Sequence, residues 1–151
     1  MDTFHLARFL DAQEHGYLGC SDYAVALSEL QQGEKVSHWV WYILPQLRDL
    51  GRSFPAHYFG ISGLEEAKAY LAHPILGARL TEATQTILTH RGKSIRKILG
   101  GIDALKFRSC MTLFREAAPE NLLFTEALTV FYQGVADDRT LALLEQPQKP
   151  I

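Results

Sequence analysis

Apolar residues recur at three- and four-residue spacing along most of the chain, which is the period of an amphipathic helix. In the N-terminal part, helix start and stop signals predict one helix between a Thr3 cap and Gly16, and a second between a Ser21 or Asp22 cap and Gly33. The predicted buried stripes are Leu6, Phe9, Leu10 and Gln13 in the first helix, and Tyr23, Ala24, Leu27 and Leu30 in the second.

The same signals continue through the rest of the chain. Ser62-Gly-Leu-Glu65 has the spacing of a capping box that opens a helix through Leu71, and Pro74 suits the first turn of the next helix. The later buried positions again have helical spacing: Leu76, Leu80, Ala83 and Ile87 in one helix, and Phe107, Met111 and Phe114 in another. The caps predicted for the last three helices are Asp103, Asn121, and either Asp138 or Thr140.

The segment His38–Leu44 is ambiguous, because its β-branched and aromatic residues favour a strand by propensity. Ser37 is a good helix cap and no clear partner strand exists, so we predict a helix that ends at Pro45. Positions 45–63, with several Gly and Pro residues, predict a long irregular loop after the first third. The expected fold is mainly α: a single compact multihelical domain over residues 1–145, with six or seven helices and a flexible tail at 146–151.

Composition limits the class of protein. The 151 residues are 47% hydrophobic and 21% charged, as in one ordinary globular domain. The two cysteines are too few for a secreted disulfide framework, so a reducing cytoplasm is the expected location. No apolar run spans a bilayer, and 15 basic against 17 acidic residues argue against a nucleic-acid partner. The six histidines lack zinc-motif spacing, so neither a metal nor a cofactor is predicted, and the oligomeric state stays open.

The most unusual stretch is Lys35–Gln46, which holds two Trp, a Tyr, a His, a Lys and a Gln in twelve positions. Such a cluster is typical of an aromatic wall for a planar ligand with polar groups at its edge. The alternative is a core helix whose aromatic side chains only pack. The predicted ligand-binding residues here are Lys35, Ser37, Trp39, Trp41, Tyr42 and Gln46.

A basic segment follows later in the chain. Six Lys and Arg residues lie between Arg91 and Arg108, against one acid, Asp103. Gly100-Gly101 stands directly before the predicted Asp103 cap, so free backbone N–H groups and a positive helix end could meet an anion. This indicates a phosphate or diphosphate site with Lys106 and Ser109 as further ligand-binding residues; the alternative is a solvated basic loop.

Five motifs in order resemble the bacterial family known as domain of unknown function 1810: Phe9–Gln13, Gly33–Gln46, Leu50–Ser53, Glu66–Leu80 and Asp103–Phe114. The resemblance covers residue 4 to about residue 144. It implies a compact, mainly helical cytosolic domain without an established activity. Members are sometimes labelled calpastatin, but that inhibitor type is disordered, whereas this chain is patterned to fold.

A fainter resemblance is to YbiA-like, NAD- and ADP-ribose-associated domains, which are helical N-glycosidases. Ser37-His38-Trp39 is similar to their Ser-Glu-His-aromatic helix without the Glu, and Lys106 and Met111 are similar to their later Lys and Met. One hypothesis is therefore a hydrolase or N-glycosidase for a ribosylated or nucleotide-like anionic metabolite, with His38, Asp103 and Glu29 as catalytic residues. The other is a non-catalytic module that binds a ligand or a partner protein.

Overall fold

The computed structural model describes residues 1–146. Over this range the chain forms ten α-helices and no strand, which confirms the predicted mainly α fold. The helices are α1 Ala7–His15, α2 Tyr23–Gln32, α3 Val40–Ile43, α4 Phe54–Tyr58, α5 Leu64–Ala72, α6 Leu76–Leu88, α7 Ile95–Leu99, α8 Gly101–Ala117, α9 Leu122–Tyr132 and α10 Asp138–Glu145. The predicted number of helices was too low because α4 and α7, which span five residues each, were not predicted. The predicted tail lies outside the described residues from position 147 onward.

The helix ends show where the cap predictions were right. Asp22 accepts a hydrogen bond from the Val25 N–H at 3.0 Å, and Asn121 accepts one from the Leu123 N–H at 3.1 Å. Gly33 ends α2 in the left-handed conformation, with φ of 81°. A side-chain oxygen therefore marks the start of α2 and of α9, and a glycine directly after the last turn marks the end of α2.

Other caps differ from the predicted residue by a few positions. Asp2, not Thr3, accepts the N–H groups at the start of α1, and Asp137 caps α10. Asp103 lies in the first turn of α8, whose cap is Gly100. In the predicted capping box the Ser62 N–H donates to Glu66 rather than Glu65. In each case a nearby acid or glycine, not the predicted residue, occupies the capping position or accepts the N–H groups at the start of the helix.

The aromatic segment is helical only in part. Residues Val40–Ile43 form the single turn α3, whereas positions 37–39 form a bend before it. The following 45–63 segment is irregular but contains a 3-10 turn, Arg48–Leu50, and α4. It also contains a parallel bridge between Leu47 and Ile61. The propensity for strand was thus overridden by the lack of a sheet to join.

Helix α8 lies at the centre of the fold, because it packs against α5, α7, α9 and α10. The predicted positions Phe107, Met111 and Phe114 on α8 are fully buried. In α2 the buried stripe is shifted: Ala26 is buried in place of Ala24, which is exposed. No helix within residues 1–146 is both long and apolar enough to cross a bilayer.

A buried ion pair fixes the N-terminal helix to the middle of the chain. The Arg8 guanidinium lies 2.7 Å from the Glu66 carboxylate, and both side chains are almost fully buried. Arg8 also donates to the carbonyls of Phe4, His5, Tyr58 and Gly60. The ion pair and these hydrogen bonds offset the free-energy cost of removing the two charged groups from water.

Candidate ligand-binding cleft

A cleft of about 400 Å³ lies between the segment 35–41 and the N-terminal end of α8. Its walls carry charged, aromatic and apolar side chains. The lining residues are Lys35, His38, Trp39, Val40 and Trp41 on one side, and Leu99, Gly100, Gly101, Ile102, Asp103 and Lys106 on the other. The fold thereby brings together the aromatic and basic stretches, which are separated by about sixty residues in sequence.

Lys35 holds the two sides of the cleft at a fixed distance. Its backbone N–H donates to the Ile98 carbonyl at 2.7 Å, and its ammonium group lies 2.8 Å from Asp103 Oδ2. The same ammonium donates to the Ser37 carbonyl at 2.6 Å and lies 5.0 Å from the Trp39 ring centroid. Because the Lys35 side chain is only 6% exposed, its main contacts are within the protein.

Glu29 on α2 organises the bend that precedes α3. Its carboxylate accepts hydrogen bonds from the backbone N–H groups of Val36 and Ser37, the Ser37 hydroxyl and Trp39 Nε1. Burial alone would raise the pKa of Glu29, but these hydrogen bonds outweigh it and lower the pKa below its ordinary value. Glu29 therefore stays ionised and is not among the residues that line the cleft.

Lys106 is the more accessible cation of the cleft, with 26% of its side chain exposed. Its ammonium lies 3.8 Å from Asp103 Oδ1 and 5.5 Å from the centroid of the Trp41 ring. The cleft therefore holds two lysines and one carboxylate. It is locally positive although the net charge of the whole chain is −2. The local excess of positive charge favours an anion.

The first turn of α8 forms part of the cleft wall. Gly100 precedes it with φ of 86°, a left-handed conformation that suits glycine. As in every helix, the first N–H groups of α8 have no acceptor within the helix, and the helix dipole makes this end positive. The Arg96 guanidinium lies beside Gly101, at 3.4 Å from where a β-carbon would stand. This end of the cleft thus combines backbone donors with cationic side chains.

A smaller cavity of about 10 Å³ adjoins the cleft and shares Val40, Trp41 and Lys106 with it. Gln46 lines this cavity, as do apolar residues from α3, α4 and the residues that directly follow them: Leu44, Ala56 and Phe59. The Trp41 Nε1 atom is buried and has no hydrogen-bond acceptor among the described residues. Buried polar groups without a partner are rare in folded proteins.

Several predicted site residues lie away from the cleft. Tyr42 is fully buried and donates from its hydroxyl to the Ser21 carbonyl at 2.5 Å. Ser37 Oγ is engaged by Glu29 and Ser21, and Ser109 Oγ donates to the Leu105 carbonyl one turn earlier in α8. The side chains of Tyr42, Ser37 and Ser109 are therefore occupied within the protein. Trp39, by contrast, lines the cleft although it has no exposed surface.

The sequence pattern did not indicate the apolar part of the lining. Val40, Leu99 and Ile102 have no polar group that would mark them as site residues. Ile102 alone carries a signal, because 74% of it is exposed although it is large and apolar. Within residues 1–146 no three His, Cys, Asp or Glu side chains lie close enough together to hold a metal ion.

Comparison with known proteins places the chain in a family. A family model described as protein of unknown function DUF1810 matches residues 3–144. The chain belongs to the DUF1810 family. A conserved hypothetical protein of known crystal structure, Rv1873 from Mycobacterium tuberculosis, has the same fold, with a TM-score of 0.89 and 44% sequence identity. The alignment covers 95% of this DUF1810 chain and 99% of the mycobacterial one. No curated protein matches the chain.

Proposed function

We propose that the cleft binds a small nucleotide-like anionic metabolite. The observation that carries this proposal is the convergence of the Lys106 ammonium, the Trp41 ring and the first turn of α8 on one concave site. Concave sites that combine apolar walls with a few placed polar groups are typical of small-molecule binding.

The anionic part of the ligand belongs at the Lys106 end. Its oxygens would accept hydrogen bonds from the Lys106 ammonium and from the N–H groups at the start of α8. Lys106 is free to turn towards a ligand because its 3.8 Å contact with Asp103 is longer than the 2.8 Å contact that Lys35 makes. Asp103 is thus held mainly by Lys35 and leaves Lys106 available.

The uncharged, planar part of the ligand belongs at the aromatic side. His38 is exposed and its ring lies 6.5 Å from that of Trp41, at an interplanar angle of 30°. Val40 extends this wall with apolar surface, and Leu99 and Ile102 add apolar surface on the opposite side of the cleft. A nucleobase or a similar ring can bury its faces here while its phosphate reaches Lys106.

A thermal-shift experiment tests this proposal. AMP and ADP-ribose should raise the melting temperature, whereas adenosine, which has no phosphate, should raise it much less. A ligand at 100 times its Kd stabilises a protein by about 2.7 kcal/mol, which is easily measured. Equal responses to AMP and adenosine would refute the anion site, and no response to any of the three would refute a nucleotide-like ligand.

A second candidate function is hydrolysis of an N-glycosidic bond in such a ligand. The observation that favours it is that His38 and Asp103 line the same cleft as Lys106, so that a possible base, an acid and a cation surround one space. Glu29 has no direct part in it, because its carboxylate is occupied by the 36–39 segment.

The chemistry would divide between two side chains. As the C–N bond breaks, the leaving base takes the bonding electrons and positive charge builds on the sugar, where the Asp103 carboxylate would stabilise it. Water then forms the new C–O bond at that carbon, and its proton passes to His38 and from there to the departing base. The assay measures the release of free base from ADP-ribosylated compounds or nucleosides. Release by the wild type that is lost in Asp103→Asn would support hydrolysis. The control is Asp11→Asn, an exposed residue of α1, which should retain the activity. Binding without release would leave the chain a binding module.

A further inference from the structure

The small cavity next to the cleft has the composition of a specific subsite. Four of its lining residues are apolar, Val40, Leu44, Ala56 and Phe59, and three carry polar groups, Trp41, Gln46 and Lys106. Its volume of about 10 Å³ corresponds to roughly one water-sized group. A subsite of this size can take a single oxygen atom at the edge of a larger ligand.

Trp41 lines this cavity and carries a hydrogen-bond donor that is not used within residues 1–146. Its Nε1–H is buried and finds no acceptor among the described residues, in contrast to Trp39, whose Nε1 donates to Glu29 at 2.8 Å. An indole N–H can only donate, so its missing partner is an acceptor. Trp41 lines both cavities, and the smaller one is the more enclosed, which agrees with a donor shielded from solvent.

Gln46 adds a second polar group to the lining of the small cavity. The Ile61 N–H donates to the Gln46 backbone carbonyl at 2.9 Å and so fixes its main chain beside the cavity. The side-chain amide adds one acceptor and two donors. A neighbouring donor and acceptor complement the edge of a carboxamide or a lactam, in which a carbonyl stands next to an N–H.

We propose that this cavity is an inner subsite that recognises the carbonyl of a planar carboxamide or lactam group. The carbonyl oxygen accepts from Trp41 Nε1–H, and the adjacent N–H donates to the Gln46 amide oxygen. The cavity takes only the oxygen atom, and two of its lining side chains, Gln46 and Lys106, are partly exposed. The inference rests on the proposed function in one respect: the rest of the ligand occupies the adjoining cleft.

Indole NMR signals test this subsite with a probe that carries no phosphate. The chain has two tryptophans, so a 15N-tryptophan sample gives two indole signals, which Trp41→Phe assigns. Benzamide, a planar carboxamide, should move the Trp41 signal downfield to saturation and leave the Trp39 signal in place. Aniline, which is planar but has no carbonyl, should move neither. No movement of the Trp41 signal with benzamide, or equal movement with aniline, would overturn the proposal.

Gln46→Leu provides an independent measurement, because it keeps the size of the side chain and removes the amide. We expect the benzamide Kd to rise at least about fivefold, whereas Gln85→Leu, on the exposed face of α6, should leave it unchanged. An unchanged Kd in Gln46→Leu would overturn the role of the amide. If benzamide behaves as expected while AMP and ADP-ribose fail to bind, the nucleotide proposal fails and the subsite stands. If the nucleotides bind and the Trp41 signal ignores benzamide, the subsite fails alone.

Discussion

The Lys35 ammonium lies 2.8 Å from the Asp103 carboxylate and thereby joins the segment after α2 to the first turn of α8. The two side chains are 6% and 16% exposed, so the pair is largely shielded from water. Its main effect is to hold the aromatic wall and the cationic helix end opposite one another across the cleft. Lys35, predicted from the sequence to bind a ligand, lines the cleft and also pairs with Asp103 across it.

Lys35→Met should destabilise the protein by roughly 3 kcal/mol, because it leaves the mostly buried Asp103 carboxylate without its nearer cation. Denaturant unfolding followed by circular dichroism measures this change. The matched control is Lys68→Met, whose exposed pair with Glu65 at 3.6 Å should contribute little. The double variant Lys35→Met, Asp103→Asn should recover part of the loss; strictly additive losses would show that the pair does not interact.

The Arg8–Glu66 pair should have a larger effect on stability than the exposed pairs. Arg8→Met removes the guanidinium that neutralises the buried Glu66 and frees several backbone carbonyls, which should cost about 3–5 kcal/mol. Arg115→Met, from a pair with Glu116 that is partly exposed, should change the unfolding free energy by less than about 1 kcal/mol. Similar losses in the two variants would contradict the structural assignment of Arg8.

Glu29 should make stability depend on pH in the acid range. Its pKa in the folded protein is lowered below the ordinary 4.5, so the folded state favours the ionised carboxylate. The resulting stability is fully present above the unfolded pKa and is lost as the pH falls through the folded pKa. The difference in unfolding free energy between the wild type and Glu29→Gln should therefore be largest near neutral pH and shrink below about pH 4. A difference that grows on acidification would refute the lowered pKa.

The two cysteines should differ in reactivity. Cys110 is fully buried in α8 and burial raises the pKa of its thiol, whereas Cys20 is partly exposed. Both thiols are free, so denatured protein should consume two equivalents of a thiol reagent without prior reduction. Native protein should react rapidly at Cys20 alone, and Cys20→Ser should abolish that rapid phase. Rapid native labelling of Cys20→Ser would show that α8 opens readily.

The longer helices could be predicted because three or more turns of amphipathic pattern define a period, as with Leu76, Leu80 and Ile87 in α6. The short helices α4 and α7 could not, since five residues contain no repeat. For His38–Leu44 a helix was predicted, but only the single turn α3 forms. Caps were predicted to within a few residues, because Asp2 and Thr3 are equally good signals in sequence and only geometry separates them.

For the cleft, the sequence drew attention to unusual residue types but not to their arrangement. Trp41 and Lys106 stand out by residue type, yet their approach to 5.5 Å depends on how α3 packs near α8. The role of Glu29 was not readable either, because an acid that accepts four hydrogen bonds from a bend looks the same in sequence as a catalytic carboxylate. Tertiary hydrogen bonds decide between these roles.

Isothermal titration of AMP into the wild type, Lys106→Ala and Lys68→Ala tests the central claim most directly. Lys106 makes a long, partly exposed ion pair and a partly exposed contact with the Trp41 ring, both weak, so its removal should leave folding nearly unchanged. Loss of a charge-assisted hydrogen bond, about 1.5–3 kcal/mol, should weaken AMP binding at least tenfold, while Lys68→Ala binds as the wild type does. Equal affinity in all three proteins, or a Lys106→Ala variant that unfolds more easily yet binds AMP normally, would contradict an anion site at Lys106.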